Sequence, residues 1–525
     1  MVLLLSLLPR GFFSGDEGVK LIQTQSLVER GMRSDALIYP GERFDRDWRH
    51  FPLAPPFVVG EGKHRRSVYS PLFAALSAPG WLAGSYVGAL VVPAAAAVAC
   101  ALLAMALARR AGHGPGRAAF LGACVFLFAP VAAYGATLTE HTLGVALSLA
   151  AFVLLERAPP RWFHLVSAGA CLGIGAILRT EVLVLLPAVA LFGALRWGIG
   201  RALVERLALV GLAAFVAFGG YVLRHLAVLG SWNPAVLANA TAAHRTSFSD
   251  SLPMLLPGGV EQVAGLPVWS LLAAAVLIGG LAWLRGRWLA LGWAVAVFVI
   301  TFLWGWVCVV GASEVIAGRE RAWTGVLAVT PLALLGVLGA GRSPRRPEGA
   351  AVLAALLFIA LVFLTNLVKS AGGLQIGARH MMPAVPLLLL GVLPFVARSR
   401  SRWAIVAPLC AISLVASFAQ LQSLARMKRY HADIAAQVFS KATPDIVTSF
   451  FWGGQVLAEG YADHRIYLSP DRNLLRRLRR ARIETLVQAL GGFQPKDLRG
   501  LGLSILDDQD QAAVVYHLSK PPVTK

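Results

Sequence analysis

Long apolar runs separated by short polar stretches make up most of this chain. After an apolar start over 2–13, a polar stretch occupies 14–68. Further apolar runs read as 85–108, 118–137, 141–156, 163–179, 181–197, 208–228, 267–284, 288–310, 322–341, 351–369, 382–397 and 403–422. A helix needs roughly 17–25 mostly apolar residues to cross about 30 Å of hydrocarbon. The pattern therefore predicts a polytopic α-helical membrane protein with about 11–13 transmembrane helices. Residues 2–13 span only about 18 Å as helix and read as a first membrane helix whose beginning is missing. The residues on either side of Arg179 read as two helices or one broken hairpin. From about 423 the pattern changes. "PDIVTSFFW", "HRIYLS" and "AAVVYHLS" read as short strands, and "LLRRLRRARIETLVQAL" as an amphipathic helix. The domain reading is a transmembrane domain over 1–422, with 14–68 as its first loop, and a small soluble α/β domain over 423–525.

Composition agrees: 57% apolar and 14% charged residues exclude a soluble globular chain of this length. The formal charge of +21 raises nucleic acid as a partner, but the placement of the basic residues argues against it. Arg109, Arg110, Arg117, Arg157, Arg161, Arg196, Arg201, Arg206, Arg285, Arg287, Arg342, Arg345, Arg346, Arg398, Arg400 and Arg402 fall in one alternating set of loops. Only Arg179, Arg245, Arg319, Arg321, Lys369 and Arg379 fall in the other, leaving aside the first loop. Positive charge marks cytoplasmic loops, so the first loop, the turn at Glu140 and the C-terminal domain lie outside. An Ala- and Arg-rich chain with five cysteines and no CxxC pair reads as a multi-pass protein of the bacterial inner membrane with a periplasmic C-terminal domain. It carries neither a disulfide framework nor a zinc motif. The run "RNLLRRLRRAR" reads as a solvated helix face near anionic headgroups.

Five places carry candidate chemistry. "FFSGDEGVKLIQTQSLVERG" sets Asp16 and Glu17 just beyond the first apolar segment, at the start of an amphipathic helix over 16–30. Ser14 and Glu17 have capping-box spacing, so the acids are either helix starters or, at an accessible surface, a general base. "RRSVYSPLFAAL" places Tyr69 at re-entry into the membrane, with Pro71 at a helix start. "ATLTEHTLG" puts Glu140 in a tight turn between apolar helices. "AILRTEVLVLLP" interrupts an apolar stretch with Arg179 and Glu181, where free helix-end N–H groups and an arginine suit an anion. "GRERAWTG" and "LQIGARHMMPAVPLLLL" carry Arg319, Arg321, Arg379 and His380. Outside arginines near membrane ends are what a lipid-phosphate site needs.

In that order and topology the motifs resemble the GT-C glycosyltransferases, integral-membrane enzymes that use polyprenyl-phosphate sugars. The likeness is to the bacterial branch of protein O-mannosyltransferases and lipid A aminoarabinose transferases. The carrying elements are the acidic pair in "SGDEGVKLIQTQSLVERG", "YSPLFAAL" where the family often has His-Pro-Pro-Leu, "GIGAILRTEVLVLLP", and "GARHMMPAVPLLLL" with its Pro-x-x-Pro. They cover about residues 1–400. Tyr69-Ser70 departs from the family's His-Pro. The resemblance implies inverting transfer of a hexosyl or pentosyl group from a polyprenyl-phosphate-linked donor to an acceptor hydroxyl on a lipid, glycan or protein. Asp16 would be the base, with Glu17 the second candidate. Arg179, Arg319 and Arg379 would meet the leaving phosphate, with Glu140, His380 and Tyr69 nearby. Some members use a divalent metal and others none; no ligand cluster decides it here. The rival readings are a polytopic lipid or solute transporter or flippase, which would set its charges at mid-membrane, and a non-catalytic scaffold.

Overall fold

A computed structural model describes residues 10–156, 160–231, 330–340, 343–365, 379–397, 399, 402–441, 443–483, 485–489, 503–510 and 513–518. The runs read at 267–284 and 288–310, together with Cys308, Arg319 and Arg321, lie outside the described residues, as do 2–9 and 322–329. The helices are α1 (Gly15–Glu29), α2 (Pro71–Ala89), α3 (Val91–Arg110), α4 (Pro115–Leu127), α5 (Val131–Gly135), α6 (His141–Leu155), α7 (Trp162–Leu178), α8 (Leu185–Trp197), α9 (Arg201–Leu229), α10 (Ala333–Ala340), α11 (Pro347–Leu364), α12 (Ala384–Leu390), α13 (Val392–Ala397), α14 (Trp403–Phe439), α15 (Gly453–Val456) and α16 (Arg472–Arg480). The chain is a multi-pass helical membrane protein. Among the described residues four helical stretches are long and apolar enough to cross a bilayer: Val91–Arg110, Thr180–Trp197, Arg201–Leu229 and Trp403–Phe439. Shorter apolar helices accompany them. On α9 the apolar side chains Phe215, Val216 and Leu223 point outward, about 70% exposed, which in water would be a liability and in lipid is the natural surface.

Small residues let the helices pack closely. Gly169 and Gly173 of α7 form a Gly-x-x-x-Gly face against α9. A methyl at Gly169 would lie 2.2 Å from the Val210 carbonyl oxygen, and one at Gly173 2.5 Å from that of Ala214. Between apolar helices in lipid, such backbone approach replaces the hydrophobic effect as the attraction.

The run read as starting at 85 is two helices. α2 begins at Pro71, where the Ser70 hydroxyl accepts from the Leu72 N–H, and α3 follows after Leu90. The stretch around Arg179 is broken rather than continuous: α7 ends at Leu178 and a 3-10 turn, Thr180–Val184, precedes α8. α14 runs unbroken through residue 422 to Phe439.

Beyond α14 lies a five-stranded sheet of β3 (Asp445–Thr448), β4 (Arg465–Leu468), β5 (Thr485–Ala489), β6 (Leu503–Asp510) and β7 (Ala513–Leu518), ordered β4-β3-β5-β7-β6. β3 is parallel to β4 and β5, and β7 is antiparallel to β5 and β6. The helix expected over 474–490 stops at Arg480. Arg482 turns the chain with φ +62°, and "TLVQA" becomes β5, as suits its Thr and Val. In the first loop, β1 (Val58–Val59) and β2 (Arg66–Ser67) form a two-residue ladder. That loop and the sheet share one apolar core containing Leu37, Tyr39, Trp48, Phe51, Ile446, Tyr461 and Tyr467. The Leu468 N–H also donates to the His50 carbonyl at 2.8 Å.

The bundle has two polar ends. At one, Arg196 pairs with Glu156 and His113 with Glu348. At the other are the first loop, Glu140, Arg179 and Arg379. The alternation read from the loops is thus repeated in which charges meet.

Candidate functional site

Ser14, in extended conformation, precedes α1, and the two acids of the first turn face the positive end of its dipole. The expectation of an interfacial amphipathic helix is corrected here. Every residue from Glu17 to Leu27 is buried, the polar Lys20, Gln23, Thr24, Gln25 and Ser26 included. α1 is held between the membrane helices and the sheet domain. Gly15 and Gly18 admit α15: a methyl at Gly18 would sit 2.0 Å from the Gln455 carbonyl oxygen. Gln25 Nε2 donates to the Ala458 carbonyl at 2.9 Å. Neighbours on both sides leave no wet face.

The two acids of the first turn have different surroundings. Asp16 Oδ1 accepts from the Tyr69 hydroxyl at 2.6 Å, and Oδ2 accepts from Arg379 Nη1 at 3.0 Å. Its side chain keeps 20% exposure. Burial raises its pKa, but Arg379, then Lys20, the Tyr69 hydrogen bond and Arg179 outweigh that and hold the carboxyl below its usual range. Glu17 is fully buried. Its Oε1 accepts from the Phe13 N–H at 2.7 Å; its Oε2 accepts from the Tyr86 hydroxyl at 3.0 Å and the Leu138 N–H at 2.8 Å. The predicted capping box is altered accordingly: the Ser14 side chain makes no cap bond, and Glu17 reaches the N–H of Phe13 instead.

A second chain of charges adjoins Asp16. Lys20, one turn along α1, lies 2.7 Å from Glu140 Oε2 and 4.3 Å from the centre of the Tyr69 ring. Glu140 Oε1 accepts from Arg179 Nη1 at 3.3 Å, and Arg179 Nε donates to Glu181 Oε1 at 2.7 Å. His380 Nδ1 is 3.1 Å from Arg179 Nη2 and 3.3 Å from Glu181 Oε1. Gly144 leaves room for Arg179, whose Cγ would be 3.3 Å from a methyl there. Three cations thus stand against three carboxylates, each matched; isolated, any of these buried charges would be costly. Among the described residues, Arg379 Nε is buried with no hydrogen-bond partner. Arg179, Glu181 and Arg379, with His141 and Met382, line a small cleft.

Asp16, Tyr69, Glu140, Arg179, Arg379 and His380 therefore converge, from segments over three hundred residues apart in sequence. Arg319 lies outside the described residues, and Glu17 points away into its own network. Sequence reasoning passed over Lys20, although its spacing of four from Asp16 puts both on one helix face. Among the described residues no group of three or more His, Cys, Asp or Glu side chains is placed to hold a metal ion.

The sequence matches no protein-family model and no curated protein. Among solved structures it is similar to ArnT from Cupriavidus metallidurans, at 15% identity. The TM-score is 0.48 for the apo state, over 99% of this chain and 97% of that one. For the same protein bound to undecaprenyl phosphate it is 0.49, over 99% and 98%. It is also similar to the oligosaccharyltransferase AglB from Archaeoglobus fulgidus in complex with an inhibitory peptide and a dolichol-phosphate. That match has 12% identity, a TM-score of 0.45, and covers 98% of this chain and 72% of that one.

Proposed function

We propose that this protein is a GT-C-type glycosyltransferase that moves a sugar from a polyprenyl-phosphate donor to an acceptor hydroxyl at the periplasmic face of the bacterial inner membrane. The observation that carries the reading is Asp16: a partly exposed carboxylate oriented by Tyr69 and Arg379, beside Arg179 at the same polar end. A general base needs to be both accessible and oriented. Glu17 is held by three donors but fully buried, so the base is Asp16.

In the reaction, Asp16 takes the acceptor's hydroxyl proton as that oxygen bonds to the anomeric carbon. The bond from that carbon to the phosphate oxygen breaks, and its electron pair leaves with the polyprenyl phosphate. One in-line displacement inverts the anomeric centre. Arg379 and Arg179 face the charge that develops on the phosphate; Arg319, outside the described residues, is the third candidate for that role from sequence. Arg379 has a buried Nε–H to offer beyond the arm that holds Asp16. Lys20 and Glu140 keep Arg179 in place. A base of low pKa suffices, because the acceptor oxygen becomes acidic only as its new bond forms.

The test is transfer of radiolabelled sugar from polyprenyl-phosphate donors in membranes carrying wild type or Asp16→Asn. Label in a new product with wild type, and at least about a hundredfold less with the variant, supports the reading. Equal transfer by both proteins removes Asp16 from the chemistry. Ion-coupled movement of a lipid or solute without a glycosylated product would instead favour a transporter.

A further inference from the structure

Glu17 is the most deeply buried acid near the site, and the reaction above makes no use of it. Its carboxylate collects three donors from three parts of the chain: the Phe13 N–H before α1, the Tyr86 hydroxyl of α2, and the Leu138 N–H of the turn before α6. Lys428 of α14 completes the group, with Nζ 2.8 Å from the Tyr86 oxygen and 3.8 Å from Glu17 Oε2, and is itself 1% exposed.

The placement of these donors matters. Glu17 directly follows Asp16. Leu138 lies two residues before Glu140, which holds Lys20 and Arg179. One carboxylate therefore ties the base's helix turn to the turn that carries the cation cluster. We propose that Glu17 is a positioning residue: with Tyr86 and Lys428 it fixes the spacing between Asp16 and the Arg179 cluster. This rests on the reading of Asp16 as the base. A buried ion pair is poor value for stability alone, whereas a misplacement of about 1 Å costs a transferase on the order of a hundredfold. Spacing accounts for the pair where stability does not.

The test uses the full-length protein in membranes. Glu17→Gln offers one acceptor oxygen where a carboxylate offers two, so one arm of the tie is lost. Transfer per folded protein is expected to fall about tenfold or more, with polyprenyl phosphate binding within about twofold of wild type. The double variant Glu17→Gln with Lys428→Met removes the unmatched cation. It is expected to regain the melting temperature lost in the single variant and not the turnover. Turnover that recovers together with melting temperature would make Glu17 a stability residue and overturn the proposal, as would unchanged turnover in Glu17→Gln. An absence of transfer by wild type from every polyprenyl-phosphate donor would fall on the proposed reaction and take the role of Glu17 down with it. Transfer by wild type that Glu17→Gln leaves unchanged falls on Glu17 alone.

Discussion

At the scale of single residues, the two adjacent acids divide the work. Asp16 keeps one side open and takes its orientation from Tyr69. Tyr69→Phe removes a 2.6 Å hydrogen bond to a charged group, a contribution of about 1.5–3 kcal/mol. That bond helps lower the Asp16 pKa, so its loss raises the pKa. The acid limb of the pH–rate profile should then move to higher pH, and the plateau rate should fall about tenfold. An acid limb that stays put in Tyr69→Phe would separate Tyr69 from the base. Much of this was legible in the sequence, because Glu140, Arg179 and Arg379 stand out as charges where an apolar or neutral residue is the default. Lys20 was not legible: on a helix read as half wet, a lysine is an ordinary surface residue. Nor did the sequence say which acid of the pair was free, since that depends on Tyr86, Leu138 and Lys428, all far along the chain.

At the scale of elements, the contacts between loop and helix decide what stays together. Asp35 of the first loop pairs with Arg224 near the end of α9, Nη2 to Oδ2 at 2.7 Å, and with Arg66, Nε to Oδ1 at 3.0 Å. Burial raises the Asp35 pKa, but Arg224 and then Arg66 bring it below the model-peptide value. Its contribution to stability is therefore fully present above the unfolded carboxylate range, near 3.9. It is lost as pH falls through the depressed folded value. In Arg224→Gln the folded value is less depressed, so the melting temperature in detergent should start lower near neutral pH and fall less on acidification than that of wild type. Wild type and variant curves that run parallel would leave Asp35 without this role. The run 208–228 read as an unremarkable span from sequence and Arg224 within it was not singled out, since its partner Asp35 lies far back along the chain. The helix ends of α6 and α7 were legible to within a residue or two because Glu140, Arg161 and Arg179 cut the apolar pattern. β5 was not, because its five residues follow a basic helical run without a proline or glycine between.

At the scale of the whole molecule, the sheet domain shares its core with the first loop and closes over α1. Large side chains such as Trp48 and Tyr467 are completely covered there, and each contributes roughly 1.5–3 kcal/mol by burial. A chain ending at residue 440 should therefore lose its first loop along with its sheet. Its membrane helices should still be expressed, but α1 should become a site of rapid proteolysis and transfer should disappear. A truncated protein that resists protease at α1 and keeps turnover would show the sheet to be an appendage. The composition shift near 423 was visible in the sequence; the shared core was not, because it joins residues some four hundred apart with no periodicity in common. α14 is the physical link. Its 37 residues reach about 56 Å, against about 30 Å of hydrocarbon, so roughly half of it stands clear of the lipid, and Lys428 and His431 on that part touch Tyr86 and Phe12. A rod of that length changes tilt when its bilayer is made thinner or thicker. Acyl-chain length is thereby an input to this protein, felt at the far end of a lever some distance from any lipid tail.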